Sequence, residues 1–202
     1  MLKDLTNGFA AGLMVSIGGM VFLSCESRYV GAVMFAVALL CICYKGYALF
    51  TGKVGYIVLS HKKADWSSLL IALLGNFIAT VLCGYAIAYA IPALKETALT
   101  MCTAKLGQVW PATLIRGFFC GILMYLAVNI YREKNTALGI LFCVPVFILS
   151  GFELSIADMF YIAASGIVSF DAFVFIWVVI LGNTLGGMFM PALRMLGGDK
   201  NG

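Results

Sequence analysis

The residues of this chain best placed for chemistry are two carboxylates, Glu153 and Asp158, in the stretch Phe147-Ile148-Leu149-Ser150-Gly151-Phe152-Glu153-Leu154-Ser155-Ile156-Ala157-Asp158. Their surroundings are apolar. An unpaired charge in hydrocarbon costs several kcal/mol or more, so ionisable groups in such a place mark an ion or proton pathway, or need a partner. The Ser150-Gly151 step just before Glu153 predicts a broken helix, and irregular backbone at membrane depth survives only where protein or a water-filled cavity surrounds it. Two cations, Lys45 and Lys53, flank a second apolar interruption at Thr51-Gly52. Either is expected to pair with Glu153 or Asp158, and structural ion pairing is expected ahead of a role in relaying protons or drawing anions.

Other chemistries find no support. The seven cysteines (Cys25, Cys41, Cys43, Cys83, Cys102, Cys120, Cys143) show no C-x-x-C spacing, fall mostly in apolar segments, and read as small buried hydrophobes. The one histidine, His61, sits beside Lys62 and Lys63 and reads as a solvated loop residue. It cannot supply the two axial ligands of a haem inside a bilayer, which argues against a membrane subunit of a redox enzyme. There is no nucleophile with an adjacent base, no phosphate loop and no zinc spacing, so no enzyme activity, cofactor or metal is expected.

The elements that position the carboxylates follow from composition. With 63% hydrophobic and 11% charged residues, against about 25% charged in soluble domains, the chain reads as an all-α integral membrane protein. Its mean hydropathy is +1.04. Its 202 residues have room for about six or seven spans of roughly 20 residues in one domain. The net charge of +4 lies mostly in loops without a basic aromatic patch, so it carries topology information and no nucleic-acid partner is expected.

Six spans result. Leu5 to Leu23 is the first and is expected to be retained rather than cleaved as a signal peptide. A second run from Tyr29 to Phe50 is interrupted at Thr51-Gly52-Lys53 and resumes as Val54 to Ser60. The third runs from about Trp66 to Ile91 and stops at Pro92; Leu94 to Gln108 is a mildly polar connection. Trp110-Pro111 opens the fourth, which reaches Tyr131. The fifth, Ala137 to Ser150, breaks at Ser150-Gly151 and resumes from Ser155 to about Ser165; the sixth runs from about Phe170 to Met190, before Pro191.

The two halves repeat. Gly8-Phe9-Ala10-Ala11-Gly12 recurs as Gly117-Phe118-Phe119-Cys120-Gly121, and Leu74-Gly75-Asn76 recurs as Leu181-Gly182-Asn183, at offsets of 109 and 107 residues. Three spans per half is an odd number, so the halves are expected to be inverted, with the pathway where the broken helices meet. The expected organisation is a single transmembrane channel domain over 1–202, repeat one about 5–91 and repeat two about 106–191. Close helix packing explains the small-residue spacings Gly8/Gly12, Gly117/Gly121 and Gly182/Gly186. Seven cations (Lys3, Lys62, Lys63, Arg132, Lys134, Arg194, Lys200) against three (Arg28, Lys95, Lys105) favour a multi-pass protein of the inner (cytoplasmic) membrane with both termini cytoplasmic.

These residues resemble the formate/nitrite transporter family of formate, nitrite and hydrosulfide channels. The resemblance is carried by Leu49-Phe50-Thr51-Gly52, by Ser150-Gly151-Phe152-Glu153-x-Ser155-Ile156-Ala157, and by Gly182-Asn183 with Gly186-Gly187. It implies a homopentamer of aquaporin-like protomers, each with its own pore. It also implies constrictions at Phe35, Leu39 and Phe147 on one side and at Leu49 and Phe50 on the other. Thr51 and Leu154 would lie at the pore centre, with Gly52, Gly151, Asn76 and Asn183 supporting the breaks, and Lys105 would be the vestibule lysine. Phe35, Leu39, Gly46 and Phe50 recur at steps of 4, 7 and 4, which could place them on one helix face. On spacing alone such a stripe reads as helix packing; the resemblance favours pore lining.

Two departures matter. The family typically places a histidine where this chain has Leu154, which leaves no group that titrates near neutrality at the pore centre. Asp158 stands where asparagine is usual. A small anion in an apolar constriction would lose hydration at a nominal cost of tens of kcal/mol, whereas protonating an acid of pKa about 4 at pH 7 costs roughly 4 kcal/mol. The expected function is therefore a channel for small monovalent weak-acid anions, drawn in by Lys105 and passed as the neutral acid. The alternatives are an aquaporin-like channel for water or small neutral solutes, whose Asn-Pro-Ala signature none of the four prolines provides, and a variant that conducts poorly for want of the histidine. The expected partners are the weak-acid anion, protons, the lipid bilayer and further copies of the chain.

Overall fold

The structure, a computed structural model, describes residues 1–60 and 62–197. His61 and Lys200, which entered the sequence reading, lie outside the described residues. All regular structure among the described residues is helical. Five helices are long and apolar enough to cross a membrane: α1 (Leu2–Ser24), α2 (Arg28–Lys45), α5 (Lys63–Ala90), α7 (Trp110–Lys134) and α10 (Phe170–Leu196). With 18 to 28 residues each they measure about 27 to 42 Å, against a hydrocarbon core of about 30 Å. The segment expected as the fifth span is in two pieces, α8 (Leu138–Leu149) and α9 (Ser155–Ser165), of 12 and 11 residues. Neither reaches across alone.

Local chemistry sets the helix boundaries. Ser27 and Ser169 accept hydrogen bonds from the backbone N–H groups of Val30 and Ala172, which opens α2 and α10. Pro92 and Pro111 lie in the first turns of α6 (Pro92–Leu106) and α7, where no backbone N–H is needed. Pro92, expected as a stop, is also a start, and most of the connection read over Leu94 to Gln108 is helix α6. Pro191 does not end α10; its missing N–H leaves the Gly187 carbonyl free of its helical partner, and Gly55 packs against that oxygen.

The first interruption also moves. α2 stops at Lys45, Gly46 takes a left-handed φ of 70°, and Thr51-Gly52-Lys53 belongs to a short helix, α3 (Phe50–Lys53), continued by a 3-10 turn and α4 (Ile57–Ser60). The glycine that permits this break is therefore Gly46, since a residue with Cβ pays about 1–2 kcal/mol there. Gly52 instead packs against Val128. Because the helix ends before Phe50, the face expected to carry Phe35, Leu39, Gly46 and Phe50 does not continue through the break.

α1 packs along α5 and α7 packs along α10. Their glycines bring the backbones into contact: a Cβ on Gly8 would run into the Ala72 carbonyl, and one on Gly186 into that of Phe118. The elements that follow each break cross to the other half: α3 and the 3-10 turn pack on α7 and α10, and α9 packs on α5 and α1. Large apolar side chains such as Leu70, Phe77 and Trp177 point outward.

Candidate functional site

Two carboxamides organise the breaks. Asn76 accepts the Phe50 N–H at 3.0 Å and donates to the carbonyls of Gly8 (2.7 Å) and Ala48 (3.0 Å). Asn183 accepts the Ser155 N–H at 2.9 Å and donates to those of Gly117 (2.9 Å) and Glu153 (2.8 Å). Each fully buried side chain satisfies one donor and one acceptor that a break would otherwise leave bare, and ties them to a carbonyl inside α1 or α7. The partners are related as the sequence repeats are: Gly8 with Gly117, and Asn76 with Asn183.

Two cavities share no lining residue. One of about 540 Å³ is lined by Arg28, Phe35, Lys105, Arg116, Leu154 and Asp158, among others; the second, of about 480 Å³, by Ile42, Leu49, Lys53, Tyr56, Asp65 and Arg132, among others. Along α2 the linings stop at Phe35 on one side and begin at Ile42 on the other. Seven residues of helix are about 10 Å. Leu39 lies in that interval, and Phe35, Leu39, Leu49, Phe50, Phe147 and Leu154 are all buried. The rings of Phe35 and Phe147 meet edge to face at 6.0 Å. Next in sequence to Phe50 and Leu154, the hydroxyls Thr51 Oγ1 and Ser155 Oγ are buried without a hydrogen-bond partner among the described residues.

The larger cavity carries an ion triad. Lys105 Nζ, in the last turn of α6, forms an ion pair with Glu153 Oε2 and lies 3.0 Å from Asp158 Oδ1. Gln108 Nε2 donates to Glu153 Oε1 at 3.1 Å. The carboxylate side chains are 2% and 1% exposed, and that of Lys105 is 16% exposed. Burial pushes the Lys105 ammonium down, but Asp158 and Glu153 overcome this and hold it above the ordinary lysine range.

The triad corrects the expected pairing. Lys45 and Lys53 bracket the first break and are exposed, and Lys53 lines the other cavity. Glu153 and Asp158 line the first cavity, at the opposite end of α2, so neither lysine reaches them. The cation comes from α6. Gly151, with φ 72°, lies between α8 and α9 and has open space around it.

Lys105, expected as the cation that draws anions, lines the cavity but already faces two carboxylates. Two cations that sequence reasoning did not place here line the same cavity: Arg28, which donates from Nη2 to the Ile148 carbonyl at 3.0 Å, and Arg116. Arg28 had been counted only for orientation. Its position at the first turn of a span was the available signal, since guanidinium groups at span ends can face an aqueous mouth.

Comparison with known proteins bears on this geometry. Residues 1–196 match the family model described as formate/nitrite transporter. The nitrite transporter NirC of Salmonella typhimurium is 29% identical over 207 residues, covering 92% of this chain and 76% of that protein. A solved structure described as a pentameric formate channel with formate bound superposes with a TM-score of 0.82 at 20% identity, over 96% of each chain. One described as an FNT family ion channel gives 0.80 at 23% identity, over 98% of this chain and 88% of that one.

Proposed function

The chain belongs to the formate/nitrite transporter family, and from that premise we propose that this multi-pass membrane protein is a channel for small monovalent weak-acid anions of the formate, nitrite, acetate or hydrosulfide class. The observation that carries the reading is the pair of separate cavities divided by roughly 10 Å of buried apolar side chains. That layer is thin enough for one small molecule to cross in a few steps. It is too apolar for a bare anion, whose desolvation costs nominally tens of kcal/mol. Protonation at pH 7 costs an acid of pKa about 4 only roughly 4 kcal/mol, so the neutral acid is the species that crosses.

Each part of the site has a role in this reading. Arg28 and Arg116 line the larger cavity apart from the Lys105–Glu153–Asp158 cluster, and their charges concentrate anions at the mouth. Phe35, Leu39 and Phe147 close the layer on that side, Leu49 and Phe50 on the other. The unpartnered hydroxyls of Thr51 and Ser155 offer hydrogen bonds to the acid in transit. Leu154 keeps the centre apolar where a histidine is typical of the family. Lys53 and Arg132 give the second cavity its cations.

The architecture is read as six spans in two inverted three-helix repeats, aquaporin-like, with both termini cytoplasmic in the inner membrane. The matched partners of Asn76 and Asn183, and the crossing of α3 and α9 between halves, support the inversion. The likeness to a pentameric formate channel supports a homopentamer, whose contacts would cover part of the outward apolar surface. The test is uptake by reconstituted protein over a panel of formate, nitrite, acetate, lactate and hydrosulfide between pH 8 and pH 5. Uptake should rise as pH falls, without a matching current. No uptake of any of these acids, or an anion current at pH 8 equal to that at pH 5.5, would overturn the reading.

A further inference from the structure

We propose that the Lys105–Glu153–Asp158 triad is a proton-binding site, with the proton held on Asp158 Oδ2 where the side chain borders the larger cavity. The argument begins with charge. One ammonium meets two carboxylates, and both carboxylates are almost wholly buried. With both ionised the cluster would hold an uncompensated negative charge away from water, and two carboxylates sharing one site do not both stay ionised. A single proton neutralises the cluster.

Hydrogen bonding decides which acid carries it. Glu153 has a donor on each oxygen, Lys105 on Oε2 and Gln108 on Oε1, so protonating it would displace a bond. Asp158 meets Lys105 through Oδ1 alone, and its Oδ2 is buried with no hydrogen-bond partner among the described residues. A proton on Oδ2 competes with nothing. Asp158 lies in the first turn of α9, where the helix dipole favours the anion, but that effect is weaker than an unmatched buried charge.

The other groups around Asp158 do not supply a second cation. Cys102 on α6, Cys120 on α7 and Tyr161 on α9 are its neutral neighbours. α1, α5 and α10 carry their charged side chains only near their ends. Arg28 and Arg116 border the same cavity, yet among the described residues neither forms an ion pair with Asp158.

The consequence for transport rests on the channel reading above. An anion in the cavity takes the proton from Asp158 Oδ2 onto its own oxygen or sulfur, and the neutral acid enters the apolar layer. Asp158 is left as a carboxylate beside Lys105 and takes its next proton from water in the cavity. No electron changes hands, and one proton crosses with each anion. Leu154 cannot provide this step; the acid one helical turn further along α9 can.

The test uses infrared difference spectroscopy on the full-length protein without substrate, with proteoliposome uptake of formate and nitrite alongside. A carboxylic-acid C=O band that shifts in deuterium oxide should be present at pH 7. It should vanish in Asp158→Asn and persist in Asp158→Glu. Uptake at pH 7 should fall at least tenfold in Asp158→Asn and recover in Asp158→Glu. Absence of the band at pH 7, its survival in Asp158→Asn, or its loss in Asp158→Glu would overturn the proton site, whether or not anything is transported. Undiminished uptake in Asp158→Asn would overturn its role as donor. No uptake by the wild-type protein would overturn the channel reading, while the infrared band would still decide the proton site.

Discussion

Replacing Lys105 by methionine tests the electrostatics of the triad, because the side chain keeps its apolar stem and loses the ammonium. Lys105 is the cation facing Glu153 and Asp158, whose side chains are 2% and 1% exposed. Removing one partner of a buried pair costs about 3–5 kcal/mol, because the remaining charge has nowhere to go. With Asp158 already protonated, Glu153 alone is stranded, and Gln108 still donates to it. The expected loss is therefore at the lower end, about 3 kcal/mol, or roughly a hundredfold in the folded-to-unfolded ratio. Unfolding in mixed micelles titrated with sodium dodecyl sulfate, followed by tryptophan fluorescence, measures it. A Lys105→Met, Glu153→Gln, Asp158→Asn triple variant should return to within about 1 kcal/mol of wild type, since no charge is left unmatched. A Lys105→Met protein as stable as wild type would refute the reasoning.

Asn76→Leu should destabilise by about 2–5 kcal/mol in the same assay, because it strands the Phe50 N–H and the Ala48 carbonyl at about 1–3 kcal/mol per buried group and removes their tie to the Gly8 carbonyl of α1. Asn183→Leu should match it within about 1 kcal/mol, as its three bonds are of the same kind. Gly186→Ala should cost about 1–3 kcal/mol by forcing α7 and α10 apart, whereas Gly107→Ala, with nothing nearer than 3.6 Å to its Cβ, should stay within about 0.5 kcal/mol of wild type. Leu154→His places a group of ordinary pKa about 6.5 in the lining of the larger cavity and should restore pH 7 uptake of formate to Asp158→Asn; no recovery would show that proton supply is not what the second variant lacks.

The long helices were legible because an apolar run of spanning length has few other outcomes in lipid. Asn76 and Asn183, matched in the sequence at an offset of 107 residues, make bonds of the same kind in the structure. α6 was not: only Leu94, Ala98 and Cys102 of its fifteen residues are buried, so its polarity resembles a loop. The first break was misplaced because Thr51-Gly52-Lys53 is the more polar cluster, while the backbone turns at Gly46 and its orphaned groups are satisfied by a side chain 26 residues onward. The partner of Glu153 escaped for a similar reason. Nearness to a break in sequence favoured Lys45 and Lys53, but the pairing is decided by which cavity each residue borders, and Lys105 lies 48 residues from Glu153.

Synthesis of the chain is constrained by the two carboxamides. α3 has four residues and α9 eleven, too short to enter lipid alone, and the bare backbone before each cannot face hydrocarbon. The side chains that satisfy that backbone arrive later: Asn76 is 26 residues beyond Phe50, and Asn183 is 28 beyond Ser155. At about 5–20 residues per second the ribosome needs roughly 1–6 s to make each interval. During both intervals a short segment must wait at the membrane surface or within the insertion machinery, and it can take its place only once α5, or later α10, has inserted. Both pauses are windows in which a slow codon, a chaperone or a protease can decide the fate of the nascent channel.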